Sequence, residues 1–219
     1  MAARGGLLIS VEGVDGAGKT TQVSALSASL TARGEKAVVV RPEDTALGAF
    51  LQRLLLEHRE GAPLEPWAEA LLFTAGRTQL LREVILPALG RGNVVIADRY
   101  MDSTLAYQGG GRGLSLDALR RLQDEACAGM WPDVTILLEL PAGRAASRQR
   151  SQEVPLDRFE TASGGFQARV GACFATLAEA DPGRIVRVDA DRPEGAVAAE
   201  IESAILDRLA DRRSAGAAS

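Results

Sequence analysis

At 219 residues, 46% of them hydrophobic and 25% charged, the chain has the size and composition of one soluble globular domain. A net charge of −4 excludes a general attraction to nucleic acid, and no run approaches the roughly 18 apolar residues of a membrane span. His58 is the only histidine, and Cys127 and Cys173 form no Cys-x-x-Cys pair. Ser-His-Asp, Cys-His and multi-histidine metal chemistry therefore drop out, and the two cysteines are read as reduced core thiols. The apolar run after Gly6 is too short for a signal segment, so the expected compartment is the cytoplasm.

Apolar runs and helical patterns alternate from the start. Leu7–Val11 is a short buried strand, and Lys19 to Ala32 is a helix closed by Gly34. Ala37–Val40 is a β-branched second strand ended by Pro42. Helical patterns follow near 46–57 and 66–89, split by Gly61-Ala-Pro63. Val94–Ala97 is the third strand, Leu114 to Gly129 a helix, and Val134–Leu140 the fourth strand. Helical pattern runs to Arg150, breaks at Pro155 and Gly164-Gly165, and recovers to Ala180. Ile185–Val188 is a fifth strand and residues 194–212 an amphipathic helix. This alternation predicts an α/β fold, a parallel sheet of about five strands flanked by helices. One domain is expected over residues 1–213, with 214–219 as a disordered tail.

Gly13-Val14-Asp15-Gly16-Ala17-Gly18-Lys19-Thr20 fits the phosphate-binding pattern G-x-x-x-x-G-K-[ST], and lies between a predicted strand and a predicted helix. The glycines let backbone N–H groups close around phosphate oxygens, and the helix start adds its positive dipole end. Lys19 can reach the β- and γ-phosphates, and Thr20 offers a hydroxyl to Mg²⁺; Thr21 completes the set expected to meet ATP. The pattern marks a P-loop nucleoside triphosphate site but leaves GTPases, ATPases, kinases and inert nucleotide-binding modules open. A GTPase would carry Asn-Lys-x-Asp, and the only asparagine, Asn93, precedes Val94.

Further segments narrow the choice. Glu12 to Gln22, Leu71-Leu-Phe-Thr-Ala-Gly-Arg77, Asp98-Arg-Tyr-x-x-Ser-Thr-x-Ala-Tyr-Gln-Gly109 with Gly111-Arg-Gly-Leu114, Pro132-Asp133 and Leu156-Asp-Arg-Phe-Glu160 occur in order. Together they resemble the thymidylate kinase family, over residues 7 to 205, and the Asp98–Gln108 segment discriminates most. The resemblance implies transfer of phosphate from ATP to dTMP with Mg²⁺, a P-loop fold with a short lid, and a homodimer. Kinases of the same fold acting on other acceptors, and a non-catalytic nucleotide-binding module, are the alternatives.

By the same resemblance, Arg99 grips the acceptor phosphate, Asp15 lies near the acceptor sugar and phosphate, and Tyr107 sits against the deoxyribose. Ser103 and Gln108 surround sugar and base, and Pro42 closes the pocket. Phe73 and Arg77 stand at i and i+4, one helix face. They suit a stacked base whose carbonyl accepts from the guanidinium, or else Phe73 is simply core. Asp98 is a helix N-cap, an orienter of Arg99, or a Mg²⁺ ligand through water. Arg144, Arg148, Arg150 and Arg158 read as a solvated face; the resemblance makes residues 149–158 a lid supplying a catalytic arginine, Arg150 or Arg158. The second strand departs from the family pattern: Arg41-Pro-Glu-Asp44 is one residue out of register, so Glu43 and Asp44 carry no assigned role.

Overall fold

The structure, a computed structural model, describes residues 5–56, 64–150 and 164–217. Strands β1 (Leu7–Glu12), β2 (Ala37–Val40), β3 (Val94–Asp98), β4 (Val134–Glu139) and β5 (Ile185–Asp189) form one sheet in the order β2-β3-β1-β4-β5. Every pairing is parallel, as the alternation of strands and helices implied. β1 and β3 are buried throughout, which is why they read as unbroken apolar runs. Their register sets Ile9 beside Ile96 and Val11 beside Asp98, so both strands end at the same level.

The helices are α1 (Lys19–Ala32), α2 (Ala46–Leu56), α3 (Pro66–Leu80), α4 (Leu86–Gly90), α5 (Met101–Thr104), α6 (Leu116–Ala126), α7 (Ala142–Arg150), α8 (Gly164–Ala180) and α9 (Glu194–Ala217). α3 starts where the Glu65 carboxylate accepts the Trp67 and Ala68 N–H groups at 2.8 and 3.2 Å. It continues into α4 through a π-helical turn, Leu81–Ile85, a wide turn placed just ahead of Pro87, which has no N–H to donate. α9 runs on to Ala217, through most of the residues read as a tail.

Two expectations need correction. The helix expected from Leu114 to Gly129 is shorter, because Ala128 (φ +51°) and Gly129 (φ +63°) take left-handed conformations that end it. The segment 101–111 is helical, α5 running into a π-helical turn, Leu105–Gly111, where no helix was expected. Its glycines serve close packing: a Cβ on Gly110 would sit 2.4 Å from the Cβ of Cys173 on α8. That reason lies in a partner element, beyond the reach of local pattern.

α5 is pinned to the sheet by a buried ion pair. Asp102, 1% exposed, accepts the Arg184 guanidinium at 2.7 and 2.9 Å and the Thr135 hydroxyl at 3.0 Å. Removing Asp102 breaks this two-pronged, charge-assisted contact and leaves Arg184 its half-exposed partner Asp181, 2.7 Å away, at a cost of about 1–3 kcal/mol. Asp102→Ala should therefore lower the unfolding free energy in urea by about that amount. Removing Glu139 from its exposed pair with Arg187 should change it little, and an equal loss in both variants would contradict this reading.

Candidate active site

The loop after β1 turns on glycines. Gly13, Gly16 and Gly18 hold φ of +142°, +81° and +89°, and a Cβ on Gly13 would lie 2.5 Å from the Leu138 carbonyl. Val14 and Ala17 turn their side chains into the core, 7% and 2% exposed, so the loop offers its backbone there. Lys19 is buried and donates to the Gly13 and Val14 carbonyls at 3.1 and 2.8 Å. Burial, with the Arg99 charge nearby, lowers its ammonium to about 8. Thr20 and Thr21 sit exposed in the first turn of α1, and the Thr20 hydroxyl donates to Asp98 Oδ2 at 2.8 Å.

Beside this loop, at the carboxyl ends of β1, β2 and β3, lies a cleft of about 880 Å³, counted with the solvent space at its open mouth. Its wall gathers Asp15, Pro42, Phe73, Arg77, Arg99, Ser103, Tyr107 and Gln108, the acceptor-site residues marked in the sequence. Leu51, Gln52 and Leu55 of α2 also line it, and no motif had singled them out. Arg99 is at the centre, with φ +72°. Its guanidinium donates to the Gly13 carbonyl at 3.1 Å and to Ser103 at 3.3 Å, pairs with Asp15, and lies 5.0 Å from the Tyr107 ring centroid.

A family model described as Thymidylate kinase matches residues 11–201. A thymidylate kinase of Deinococcus radiodurans is 45% identical over 204 residues, covering 93% of this chain and 98% of that protein. One of Bifidobacterium longum (strain DJO10A) is 47% identical over 205 residues, covering 92% and 98%. One of Desulforudis audaxviator is 41% identical over 213 residues, covering 96% and 95%. The chain belongs to the thymidylate kinase family.

Phe73 lines the cleft and also packs on the core. Asp98 is not a helix cap: Tyr100 holds that position for α5, without a side-chain bond. Asp44 accepts the Arg41 N–H at 2.8 Å and closes the turn that carries Pro42 into the wall; Glu43 is exposed and outside the cleft. Arg144 and Arg148 donate to Asp191 and the Ala190 carbonyl at 2.9 and 3.0 Å, the behaviour of a surface helix face. Arg158, residues 151–158 of the expected lid, and the side chain of Arg150 lie outside the described residues.

Three buried groups support the wall, and sequence reading passed over them. Glu69, 0% exposed, accepts Gln108 at 2.8 Å and Arg112 at 3.2 and 3.3 Å, fixing the Gln108 amide from α3. Gln123 holds Arg77 at 2.8 Å. Glu12 accepts the Tyr100 N–H at 2.6 Å and the Ser103 hydroxyl at 2.5 Å. An acid closing an apolar strand was the available signal for Glu12; Glu69 and Gln123 look like any polar helical residue.

Charge around the cleft follows from burial and neighbours. Burial pushes Asp15 up, but Arg99 and Lys19 outweigh it and hold the carboxyl below its ordinary value. Burial opposes the Arg99 charge, yet Tyr107, Asp15, Glu12 and Asp98 overcome it, so the guanidinium stays protonated. Burial raises the Tyr107 phenol well above its usual value.

Glu12 goes the other way: burial, then the Asp102 charge, raise it from 4.5 to about 7. Between those values the unfolded chain has lost its proton while the folded chain keeps it, so stability falls as pH rises through that window. Glu12→Gln cannot ionise. Relative to wild type it should gain roughly 2–3 kcal/mol between about pH 4.5 and 7, and nothing further above. Urea unfolding of both proteins at pH 5 and 7.5 measures this; a constant difference would place the Glu12 pKa outside the window.

Proposed function

We propose that this chain transfers the γ-phosphoryl group of ATP to dTMP, giving ADP and dTDP. The observation that carries the reading is the meeting of a P-loop with one cleft walled by Asp15, Pro42, Phe73, Arg77, Arg99, Ser103, Tyr107 and Gln108. The acceptor is a phosphate monoester with a second pKa near 6, largely a dianion at neutral pH, so attack needs no general base. What remains is to hold donor and acceptor in line and to balance charge on the moving phosphoryl group. Lys19 and the loop N–H groups serve the donor side; Arg99, anchored on the loop by its bond to Gly13, serves the acceptor phosphate.

The Thr20 hydroxyl and the Asp98 carboxylate stand side by side at the loop mouth, hard oxygen donors that fit Mg²⁺. Among the described residues no three acidic, histidine or cysteine side chains gather to hold a metal. Such an ion would take its other ligands from water and phosphates, and would supply charge neutralisation there. Arg150 or Arg158 supplies a further cation from the lid in this reading. We assign the reaction to the cytoplasm, where charged nucleotides are made and used; among the described residues no helix is long and apolar enough to cross a membrane.

Phe73 and Arg77 receive the base. Arg77 donates to a thymine carbonyl where cytosine would present an amino donor. A panel of acceptors with ATP tests the function. dTMP should be preferred, dUMP should be poor by the worth of one methyl group (about 1–3 kcal/mol), and dCMP should fall about a thousandfold. Use of dCMP as readily as dUMP would refute Arg77 as base reader, and ADP release without any acceptor would point to an ATPase. Arg99→Ala should lower kcat/KM for dTMP about 30- to 1000-fold with little change in ATP affinity. Lost ATP binding with normal dTMP binding would reverse that assignment.

The protein works as a homodimer in this reading. α2 and α3 expose Leu47 (40%), Phe50 (56%), Trp67 (36%) and Leu71 (52%), apolar surface that a second copy would cover. Phe50→Glu should shift sedimentation from dimer to monomer without unfolding the chain; an unchanged dimer would move the interface elsewhere.

A further inference from the structure

Arg77 reaches the cleft from α3, and among the described residues its hydrogen-bond partner is Gln123 Oε1, at 2.8 Å. Gln123 is on α6, 0% exposed, and forms no part of the cleft wall. Its other end, Nε2, donates to Thr74 Oγ1 at 2.8 Å, and the Thr74 hydroxyl donates to the Ala70 carbonyl at 2.7 Å. A hydroxyl has one proton. Thr74 spends it on its own helix and can only accept from Gln123. The amide must therefore turn its nitrogen to Thr74 and its oxygen to Arg77; the flipped amide would set its NH₂ against a guanidinium that has donors alone. Thr74 and Arg77 stand at i and i+3, so one turn of α3 both orients the amide and presents the arginine that the amide holds.

We infer that Gln123 is a positioning residue for acceptor choice: its oriented amide fixes where the Arg77 guanidinium meets the base. The inference rests on the reading of Arg77 as base reader. A guanidinium carries five N–H donors. One arm held by Gln123 leaves the others to a ligand, and the Tyr100 ring, centroid 5.7 Å from the guanidinium carbon, restricts the side chain further. A long side chain without that hold would sample many rotamers, and would meet an acceptor carbonyl less often and with less discrimination.

The test compares kcat/KM for dTMP and dCMP in wild type and variants, with circular dichroism to establish the fold. Gln123→Leu removes both ends of the amide. It should lower kcat/KM for dTMP about tenfold, chiefly through KM, and narrow the dTMP-to-dCMP ratio by a similar factor. Gln123→Glu keeps an oxygen facing Arg77 and should hold the ratio within about threefold of wild type. Thr74→Val preserves shape but removes the acceptor that anchors the amide nitrogen, loosening the amide against Arg77, and should narrow the ratio even if the Leu variant fails to fold. In an Arg77→Ala background, Gln123→Leu should change the ratio no further.

A merely structural Gln123 would lower the melting temperature and leave the ratio alone. If folded Gln123→Leu, or Thr74→Val in its absence, keeps the wild-type ratio while Arg77→Ala loses it, the positioning role is wrong. If Arg77→Ala itself keeps the ratio, the base-reader reading fails and takes this inference with it.

Discussion

Glu12 ends a fully buried strand, and its carboxyl group accepts both the Tyr100 N–H and the Ser103 hydroxyl. Those two bonds tie the exit of β3 to the exit of β1, where the phosphate loop begins. Between them the chain must turn at Arg99, a non-glycine residue at φ +72°, a conformation that costs about 1–3 kcal/mol. The Arg99 N–H bond to Val11, at 3.1 Å, closes the same turn from the other side. As a result the Arg99 guanidinium lies over the phosphate loop and in the cleft wall at once. The cradle and the cleft share one charged side chain because a buried acid holds the backbone that carries it.

The same crowding sets the electrostatics. Asp15, Asp98 and Glu12 lie close enough to Lys19 and Arg99 to favour the charge on both buried cations. Arg99 is paired with Asp15, and Lys19 with neutral loop carbonyls. In the proposed reaction this means that the donor-side cation meets phosphate by releasing neutral acceptors. The acceptor-side cation is already matched by a carboxylate, so Asp15 bears on how firmly the acceptor phosphate is held. Glu12, raised toward neutrality by burial, adds less negative charge than its place among these groups would suggest.

Helix α3 serves the cleft through pairs of residues on one face. Phe73 and Arg77 form part of the wall, while Glu69 and Thr74 reach back to Gln108 and Gln123. Arg77 and Gln108 in the wall thus each have a buried partner behind them, the arrangement that keeps a binding surface in a single geometry. The supports come from elements far apart in sequence: Gln123 meets Arg77 across 46 positions and Gln108 meets Glu69 across 39.

The strands and the phosphate loop were legible in the sequence because each carries a local signature, while most residues expected at an acceptor site came from the family resemblance and are gathered in one cleft. Buried parallel strands are continuous apolar runs, a phosphate loop needs glycines at set spacing beside Lys19, and Phe73 and Arg77 share a helix face. What local signature could not carry was the partner. The helix over 101–111 was missed because its glycines answer to α6 and α8, and Glu69 and Gln123 were missed because a buried polar side chain is recognisable only by what surrounds it. By itself the sequence determined the sheet, the loop and most of the side chains gathered in the cleft. Tertiary structure alone decided strand order, the turn at Arg99 and the direction of each supporting hydrogen bond, since these depend on contacts between residues that local pattern treats as independent.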